Sequence, residues 1–404
     1  MSIVAGTPEF KRTNRALFFG GFSCFALLYC VQPLMPLLSQ EFALTPAQSS
    51  LSLSIATGAL AISLVLSSII SDRMGRKPLM VTALAIAALM TLVSAFSHSY
   101  PQLLLARAAL GFALGGMPAV AMAYLAEEIE PQSLGLSMGL YVSGSAFGGM
   151  LGRLMTSVLS DHMSWRVATL AIGAAGVFAA LEFWRSLPPS RNFRPGSGGM
   201  AALKQGALQH FRDDGLPWLF ALAFILVGCF ISLYSYISYR LLAAPFSLSQ
   251  SVVGGISVLY LIGIFSSVYA GKLADRLGRR SVLWVMLTVM LAGLLLTLVN
   301  SLPFILIGMA LFTFGFFASH SVASSWVGRR ARAPKALASA LYLFSYYLGS
   351  SVIGWLCGYV WSHGGWPGVV ALLGSLLGAG LMIALRLRTL MPLSAPPVAL
   401  SAAA

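Results

Sequence analysis

Three side chains that can carry a positive charge, Arg107, Arg153 and His320, lie inside long apolar runs of the sequence. On insertion scales an arginine at the centre of a bilayer costs roughly 2.5–3.5 kcal/mol, so it usually faces a cavity or a partner. Such a cavity suits a polar neutral solute, for example a sugar, or an anion, although aromatic rings also attract cations. The competing interpretation is that both arginines are only paired structurally. Polar and aromatic side chains of other apolar runs could face the same cavity: Tyr29, Gln32, Tyr234, Tyr236, Tyr346 and Tyr347.

Carboxylates are not placed to carry a proton across the middle of the apolar runs. The sequence has 11 Asp and Glu residues, and all of them fall near the ends of the runs or between them. Glu182 and His320 are the remaining candidates, although a lone buried histidine is more often a satisfied hydrogen-bonding residue. The sequence contains no nucleophile–base pair, no cluster with metal-ligand spacing and no phosphate-binding Gly-rich loop. We therefore predict neither an enzyme nor a metal site.

The apolar runs predict an all-α membrane protein. Of the 404 residues, 58% are hydrophobic and 9% are charged, whereas soluble domains carry about 25% charged residues. A helix needs about 20 apolar residues to cross a bilayer. The net charge of +14 does not indicate nucleic-acid binding, because the basic residues form short scattered clusters rather than one face. Twelve spans are predicted, at residues 15–38, 49–71, 79–97, 101–125, 132–159, 166–187, 216–240, 250–271, 281–300, 303–326, 336–361 and 366–388.

The basic residues between the spans predict that both termini are cytoplasmic. With the N-terminus inside, 21 of the 25 Lys and Arg residues lie in cytoplasmic segments, as the positive-inside rule requires. The longest connection, residues 188–215, is rich in Pro, Gly and Ser and predicts a flexible cytoplasmic linker. It would separate an N-terminal six-helix bundle, residues 1–187, from a C-terminal one, residues 216–390. A tail would follow at residues 391–404.

A repeated motif supports two pseudo-symmetric halves. Asp72-Arg73-Met74-Gly75-Arg76 follows the second span, and Asp275-Arg276-Leu277-Gly278-Arg279 follows the eighth span 203 residues later. Gly144-Ser145 and Gly349-Ser350 repeat at an offset of 205 residues. In both copies of the first motif the glycine allows a sharp reversal that a side chain would obstruct.

The whole chain resembles the major facilitator superfamily, whose loop signature between spans two and three reads G-x-L-A-D-R-x-G-R-[RK]. Residues 271–280 match this signature fully, and the first copy has Ser68 for the leading glycine and Ile70 for leucine. Residues 319–326 and 341–347 look like those of a group of bacterial inner-membrane exporters within the drug–proton antiporters of this superfamily. The resemblance implies twelve transmembrane helices in two six-helix bundles, a monomer in the bacterial inner membrane, and a proton gradient as the driving force.

The resemblance also implies that charged residues at the cytoplasmic mouth latch that side when the outer side is open. The alternative is that these charges serve only membrane topology, but topology alone needs neither an aspartate nor a glycine. The predicted latch comprises Asp72, Arg73, Gly75, Arg76, Glu127, Glu128, Asp275, Arg276, Gly278 and Arg279.

Small residues on one face of the fifth and eleventh spans predict close helix packing in lipid. Residues 144–149 also resemble the G-P-x-x-G-G signature of exporters, with Ser145 at the proline position. Arg107 resembles the arginine of the family's R-x-x-Q-G signature, which is linked to proton handling, with Leu110 at the glutamine position. The two predicted stripes are Gly144, Gly148 and Gly152, and Ser350, Gly354 and Gly358.

Taken together, these features predict a secondary transporter that moves a sugar-like or drug-like small molecule across the inner membrane by alternating access, with proton-coupled efflux. An importer or facilitated uniporter of a polar or anionic solute is the alternative within transport. A non-transporting membrane sensor or scaffold is the alternative of another class. The expected partners are the small-molecule substrate and the lipid bilayer, without nucleic acid and without a cofactor.

Overall fold

A computed structural model describes residues 2–193, 200–331 and 335–390, except for the side chains of residues 68, 69, 72, 200–202, 335 and 336. The secondary structure of these ranges is helical, apart from one bridge that pairs Ile3 with Ile129. The helical stretches that are long and apolar enough to cross a membrane are Pro8–Glu41, Pro46–Ser67, Arg76–Ala95, Tyr100–Glu128, Leu134–His162, Trp165–Ser186, Leu216–Leu242, Gln250–Leu277, Arg279–Leu296, Leu302–Arg330 and Leu337–Thr389. The second of these belongs to a helix that continues to Met74.

The last helical stretch is two spans. Its 53 residues would be about 80 Å long as one helix, far more than the roughly 30 Å of hydrocarbon in a bilayer. Gly365 breaks the helix with φ 54 and ψ −150. Ile353 and Leu373, on the two sides of this break, both contact span 7 at or next to Gly228. The chain therefore reverses at Gly365, and we number the spans 1 to 12, with span 11 before this residue and span 12 after it.

Three spans are interrupted along their length. Span 1 contains the 3₁₀ helix Gln32–Leu34, and span 8 contains the 3₁₀ helix Ile256–Leu259. Span 4 is divided into Tyr100–Leu114 and Pro118–Glu128. Irregular backbone at membrane depth must be buried in protein or line a cavity, so these breaks indicate where a polar site can be built.

The two halves repeat one close helix contact. In the N-terminal half, a Cβ on Gly148 of span 5 would lie 2.0 Å from the carbonyl oxygen of Phe22 in span 1. In the C-terminal half, a Cβ on Gly349 of span 11 would lie 2.0 Å from the carbonyl oxygen of Phe224 in span 7. The predicted stripe of Gly144, Gly148 and Gly152 thus packs on span 1, with its repeat at Gly349.

The second predicted stripe has a different partner. A Cβ on Gly354 would lie 3.3 Å from Ser54 Oγ, and one on Gly358 would lie 2.5 Å from Ala47 Cα. Both partners belong to span 2, so this face of span 11 packs against the other half of the molecule. Ser350 is buried on the same span. The two stripes are therefore not equivalent in their partners, because in span 11 the close contact with the backbone of span 7 is made by Gly349, the residue before Ser350.

We call the end of the bundle that holds Pro8 and Thr389 the terminal end, and the opposite end the far end. The two halves are joined at the far end. Here Ser39 Oγ and Tyr239 Oη are 2.9 Å apart, and a Cβ on Gly254 of span 8 would lie 2.2 Å from the Cβ of Ser157 in span 5. Gly139 lies on the same face of span 5 about five turns nearer the terminal end, and a Cβ there would have nothing within 4 Å. Spans 5 and 8 therefore separate towards the terminal end.

The segment predicted as a flexible linker contains a helix that the sequence did not indicate, Met200–Phe211. Phe211 packs edge-on against Phe220 of span 7, with ring centroids 5.7 Å apart, and His210 is buried. The helix therefore lies against the C-terminal half. Residues 194–199, between it and span 6, are outside the described part.

Candidate functional site

A buried cation, Arg153 of span 5, lies at the boundary between the two halves. Its side chain is 4% exposed. The guanidinium carbon is 4.3 Å from the ring centre of Tyr29 in span 1 and 4.9 Å from that of Tyr260 in span 8. Each cation–π contact contributes roughly 0.5–2 kcal/mol. Aromatic rings from both halves therefore hold one charge.

Gln32 connects this cation to the opposite half. It lies in the 3₁₀ break of span 1, where its Oε1 accepts a hydrogen bond from Arg153 Nε. Its Nε2 donates to the carbonyl of Ile231 at 2.9 Å and to Ser235 Oγ at 2.8 Å, both in span 7. One amide thus joins spans 1, 5 and 7.

A small cavity adjoins Gln32 and Arg153 between the halves. The volume that the centre of a water molecule can reach in it is about 20 Å³, which is enough for about one water. The far end of the bundle is closed around it, because Gln250 Nε2 donates to the carbonyl of Pro33 at 2.5 Å. The wall includes polar side chains from both halves: Gln32, Arg153, Tyr234, Ser238 and Ser257.

A belt of aromatic rings extends from Tyr260 into the C-terminal half. The ring of Phe230 lies 5.3 Å from that of Tyr260 and stacks on Phe316 at 3.8 Å. Tyr234 lies 5.1 Å from Tyr260 and its hydroxyl is 2.7 Å from Thr313 Oγ1. Offset and edge-on ring pairs contribute about 0.5–1.5 kcal/mol each beyond their buried area.

His320 lies at the other end of this belt. Its ring stacks on Phe316 at 5.9 Å and contacts Tyr346 at 5.0 Å. Its Nδ1 is 2.9 Å from the Tyr342 hydroxyl, and Tyr346 packs edge-on against Tyr347 at 5.1 Å. The structure therefore joins His320, Tyr346 and Tyr347 with Tyr234, Tyr29 and Arg153 in one continuous cluster.

Two predicted cavity residues lie elsewhere. Tyr236 is fully buried, and its hydroxyl donates to the carbonyl of Gly354 at 2.7 Å, so it packs between spans 7 and 11. Arg107 donates to three carbonyls of its own half, those of Ser52 at 3.0 Å, Leu27 at 3.1 Å and Leu28 at 2.5 Å. Its guanidinium satisfies carbonyls beside the break in span 1, contacts that the spacing of the sequence could not reveal.

The predicted latch of the N-terminal half is built on a left-handed turn. Gly75 has φ +89, a region that favours glycine. Arg76 follows it and donates to Glu127 Oε1 through Nη2 at 2.7 Å and to Ser71 Oγ through Nη1. Arg73 is exposed beside this network, which joins the end of span 2 to the end of span 4.

The C-terminal half repeats the turn with different partners. Gly278 has φ +84. Arg279 donates to Asp275 Oδ1 through Nη2 at 3.0 Å and to Ser325 Oγ of span 10 through Nε at 3.1 Å. Arg276 is exposed. Both described networks connect helices of the same half.

One member of the predicted latch has another partner. Glu128 is 1% exposed and accepts hydrogen bonds from the backbone N–H of Asn192 at 2.8 Å and from its Nδ2 at 3.1 Å. The sequence predicted that both Glu127 and Glu128 contact Arg76. Glu127 does so, whereas Glu128 anchors the segment that leaves span 6. The side chain of Asp72 lies outside the described part.

The duplicated turn and the two matching helix contacts agree with what a family comparison finds. The model of the Major Facilitator Superfamily matches residues 17–263 and 235–402. The chain belongs to the major facilitator superfamily. The resemblance seen in the loop signature is thereby confirmed, as is the prediction of an all-α membrane protein with the fold of this superfamily.

Relatives in this superfamily cover nearly the whole chain. The inner membrane transport protein YnfM of Escherichia coli (strain K12) is 51% identical over 385 residues, which are 95% of this chain and 92% of that protein. The uncharacterized MFS-type transporter YybF of Bacillus subtilis (strain 168) is 46% identical over 368 residues, 91% of each chain. This superfamily member is therefore a multi-pass inner-membrane transporter rather than an enzyme, as predicted.

A solved structure has the same fold. A bacterial homologue of the human lysosomal transporter Spinster, in an inward-facing and unoccupied conformation, superimposes with a TM-score of 0.72 over 95% of both chains, at 16% sequence identity.

Several residues of the cluster in this superfamily member were not predicted from the sequence. Tyr260, Phe230 and Phe316 were not among the predicted cavity residues. Short Gly- or Pro-containing interruptions of apolar runs point to binding sites in transporters. Gly254-Gly255, just before Tyr260, was such a signal.

Proposed function

We propose that this transporter carries a small polar or anionic solute, sugar-like or drug-like, by alternating access at the cluster between its halves. The observation that carries the proposal is that Arg153 contacts the rings of both Tyr29 and Tyr260. Because the two rings belong to different halves, a solute bound there would face one side of the membrane and then the other as the halves rock.

We infer the orientation from charge. With both termini in the cytoplasm, the closed far end faces outwards and the described state is open to the cytoplasm. Arg76 and Arg279 are then partnered within their own halves through Glu127 and Asp275. In the opposite state the two turns would approach each other and latch the cytoplasmic side.

Proton-coupled efflux is the direction and coupling that we propose. Efflux rests on the resemblance of residues 144–149 to the exporter signature. The proton carrier would be His320, since its Nδ1 contacts the Tyr342 hydroxyl beside the aromatic belt, and an imidazole can both take up and release a proton. Facilitated diffusion or uptake is the second candidate. It is favoured because the described carboxylates lie near helix ends rather than at mid-membrane, where they could carry a proton.

The test is flux through full-length protein in liposomes under an imposed pH gradient. The panel contains pentoses, hexoses, cationic dyes and small organic acids. His320→Gln tests the proton carrier, and His363→Gln, an exposed histidine of the far end, is the matched control. Saturable flux that collapses with the gradient and is lost only in His320→Gln supports the proposal. Saturable flux that ignores the gradient would favour facilitated diffusion, and the lack of any saturable flux would favour a sensor or scaffold.

A further inference from the structure

Two nitrogens of the Arg153 guanidinium donate hydrogen bonds, and the third has no acceptor. Nε donates to Gln32 Oε1, and Nη1 donates to the carbonyl of Gly149 in its own helix at 2.7 Å. Nη2 is buried and has no hydrogen-bond partner. The N–H groups of Nε and Nη2 point from the same edge of a guanidinium. The edge that faces Gln32 therefore offers two donors, of which only Nε has an acceptor.

A carboxylate matches this edge better than the amide of Gln32 does. An amide offers one acceptor oxygen, whereas a carboxylate offers two with the spacing of the guanidinium fork. The rings of Tyr29 and Tyr260 lie against the guanidinium. The donor without a partner lies on the Nε/Nη2 edge, and an acid group that binds it would approach in the plane of the guanidinium.

The charge of the site also favours an anion. Among the described side chains, no carboxylate lies within ion-pair distance of Arg153. Asp161 is eight residues along the same helix, about 12 Å away by helical rise, and its Oδ2 accepts from the backbone N–H of Ser251 at 3.0 Å. A buried cation without an acidic partner is stabilised by an anion that brings both charge and acceptors. The buried hydroxyl of Tyr260 also has no partner and can donate to the same ligand.

We propose that the Nε/Nη2 edge of Arg153 binds a carboxylate group of the transported solute, and that Gln32 accepts the hydrogen bond from Nε when no solute is bound. This inference rests on the proposed function and names its substrate class. A carboxylate that accepts hydrogen bonds from both Nε and Nη2 displaces Gln32 Oε1. Since the same amide holds Ile231 and Ser235 of the other half, solute binding would loosen the closed far end.

The test is binding to full-length protein in detergent, measured by calorimetry with pairs that differ only in the acid group. The probes are benzoate against benzamide, and pyridine-3-carboxylate against its amide. The variants are Arg153→Gln, Arg153→Lys and Gln32→Ala, with Arg166→Gln, a far-end arginine paired with Glu41, as the control. Thermal unfolding confirms that each variant is folded.

We expect the acids to bind at least about tenfold more tightly than the amides in the wild type, the scale of a charge-assisted bidentate pair. Arg153→Gln should abolish the preference, and Arg153→Lys should retain the charge but weaken the acids about tenfold by losing the fork. Gln32→Ala should tighten acid binding severalfold, which a merely structural role of Arg153 does not predict.

Equal affinity of acids and amides in the wild type, or a loss in Gln32→Ala as large as in Arg153→Gln, would overturn the inference. These outcomes are separate from the flux test. Proton-driven flux of neutral solutes without acid preference would leave the proposed function standing and remove this inference. Acid preference together with saturable flux that ignores the pH gradient would keep this inference and remove only the proton coupling.

Discussion

Replacing Gly254 by alanine should push the far ends of the two halves apart. The added methyl would lie 2.2 Å from Ser157 Cβ and 2.3 Å from its Oγ. The hydroxyl can rotate away, but the Cβ is attached to the backbone of span 5 and moves only with it. Because ordinary carbon–carbon contact begins at about 3.5 Å, spans 5 and 8 must separate by roughly 1.3 Å at this point.

The cost of this overpacking falls on the closed far end alone. Overpacked contacts typically cost about 1–3 kcal/mol. If the two halves separate here when the far end opens, the open state does not carry this cost, and the closed-to-open ratio falls about 5- to 150-fold. Gly255→Ala is the matched control, because a Cβ on that adjacent glycine has nothing within 4 Å.

The assay measures the distance between spin labels on His98→Cys and His363→Cys, exposed positions at the far end of different halves. The four native cysteines are buried and should label poorly. We expect Gly254→Ala to shift the distances towards the longer, open population and to slow transport, while Gly255→Ala follows the wild type. Identical distance distributions in the two alanine variants would refute the reasoning, because the short contact would then impose no constraint.

Three further predictions concern stability. Gly278→Ala should destabilise the protein by about 1–2 kcal/mol, because its φ of +84 lies where a Cβ is strained; Gly271→Ala, in the preceding helix, should be neutral or stabilising in the same thermal-unfolding assay. Arg107→Gln should lower the unfolding temperature by more than either, because it leaves buried carbonyls unsatisfied, and unchanged stability would contradict the assigned role. Burial raises the pKa of Asp213, but Arg330 and two backbone N–H groups lower it by more, so its net pKa lies below the ordinary value. The stability it contributes is present above about pH 4 and is lost as the pH falls through the lowered pKa. Asp213→Asn should therefore be less stable at neutral pH and show a smaller acid loss in pH-dependent unfolding.

Several features of this transporter follow from its sequence because they depend on local chemistry. Lipid requires long apolar helices with satisfied backbones, so the spans could be placed before any contact was known. The turns at Gly75 and Gly278 could be predicted for the same reason, since a residue in the left-handed region is favoured as glycine whatever surrounds it. Close packing of span 5 was indicated by small residues at helical spacing, although its partner, span 1, was not.

Partners across the molecule were decided only by the tertiary structure. The sequence placed Arg107 and Arg153 in equivalent settings, as cations in apolar runs, yet one satisfies backbone carbonyls of its own half and the other joins both halves with an unfilled donor. Likewise, Glu127 and Glu128 are adjacent, but only the direction of the helix end decides that one meets Arg76 and the other Asn192. A charge in a spacing pattern carries no information about which distant group faces it, because that depends on how twelve helices rotate and cross.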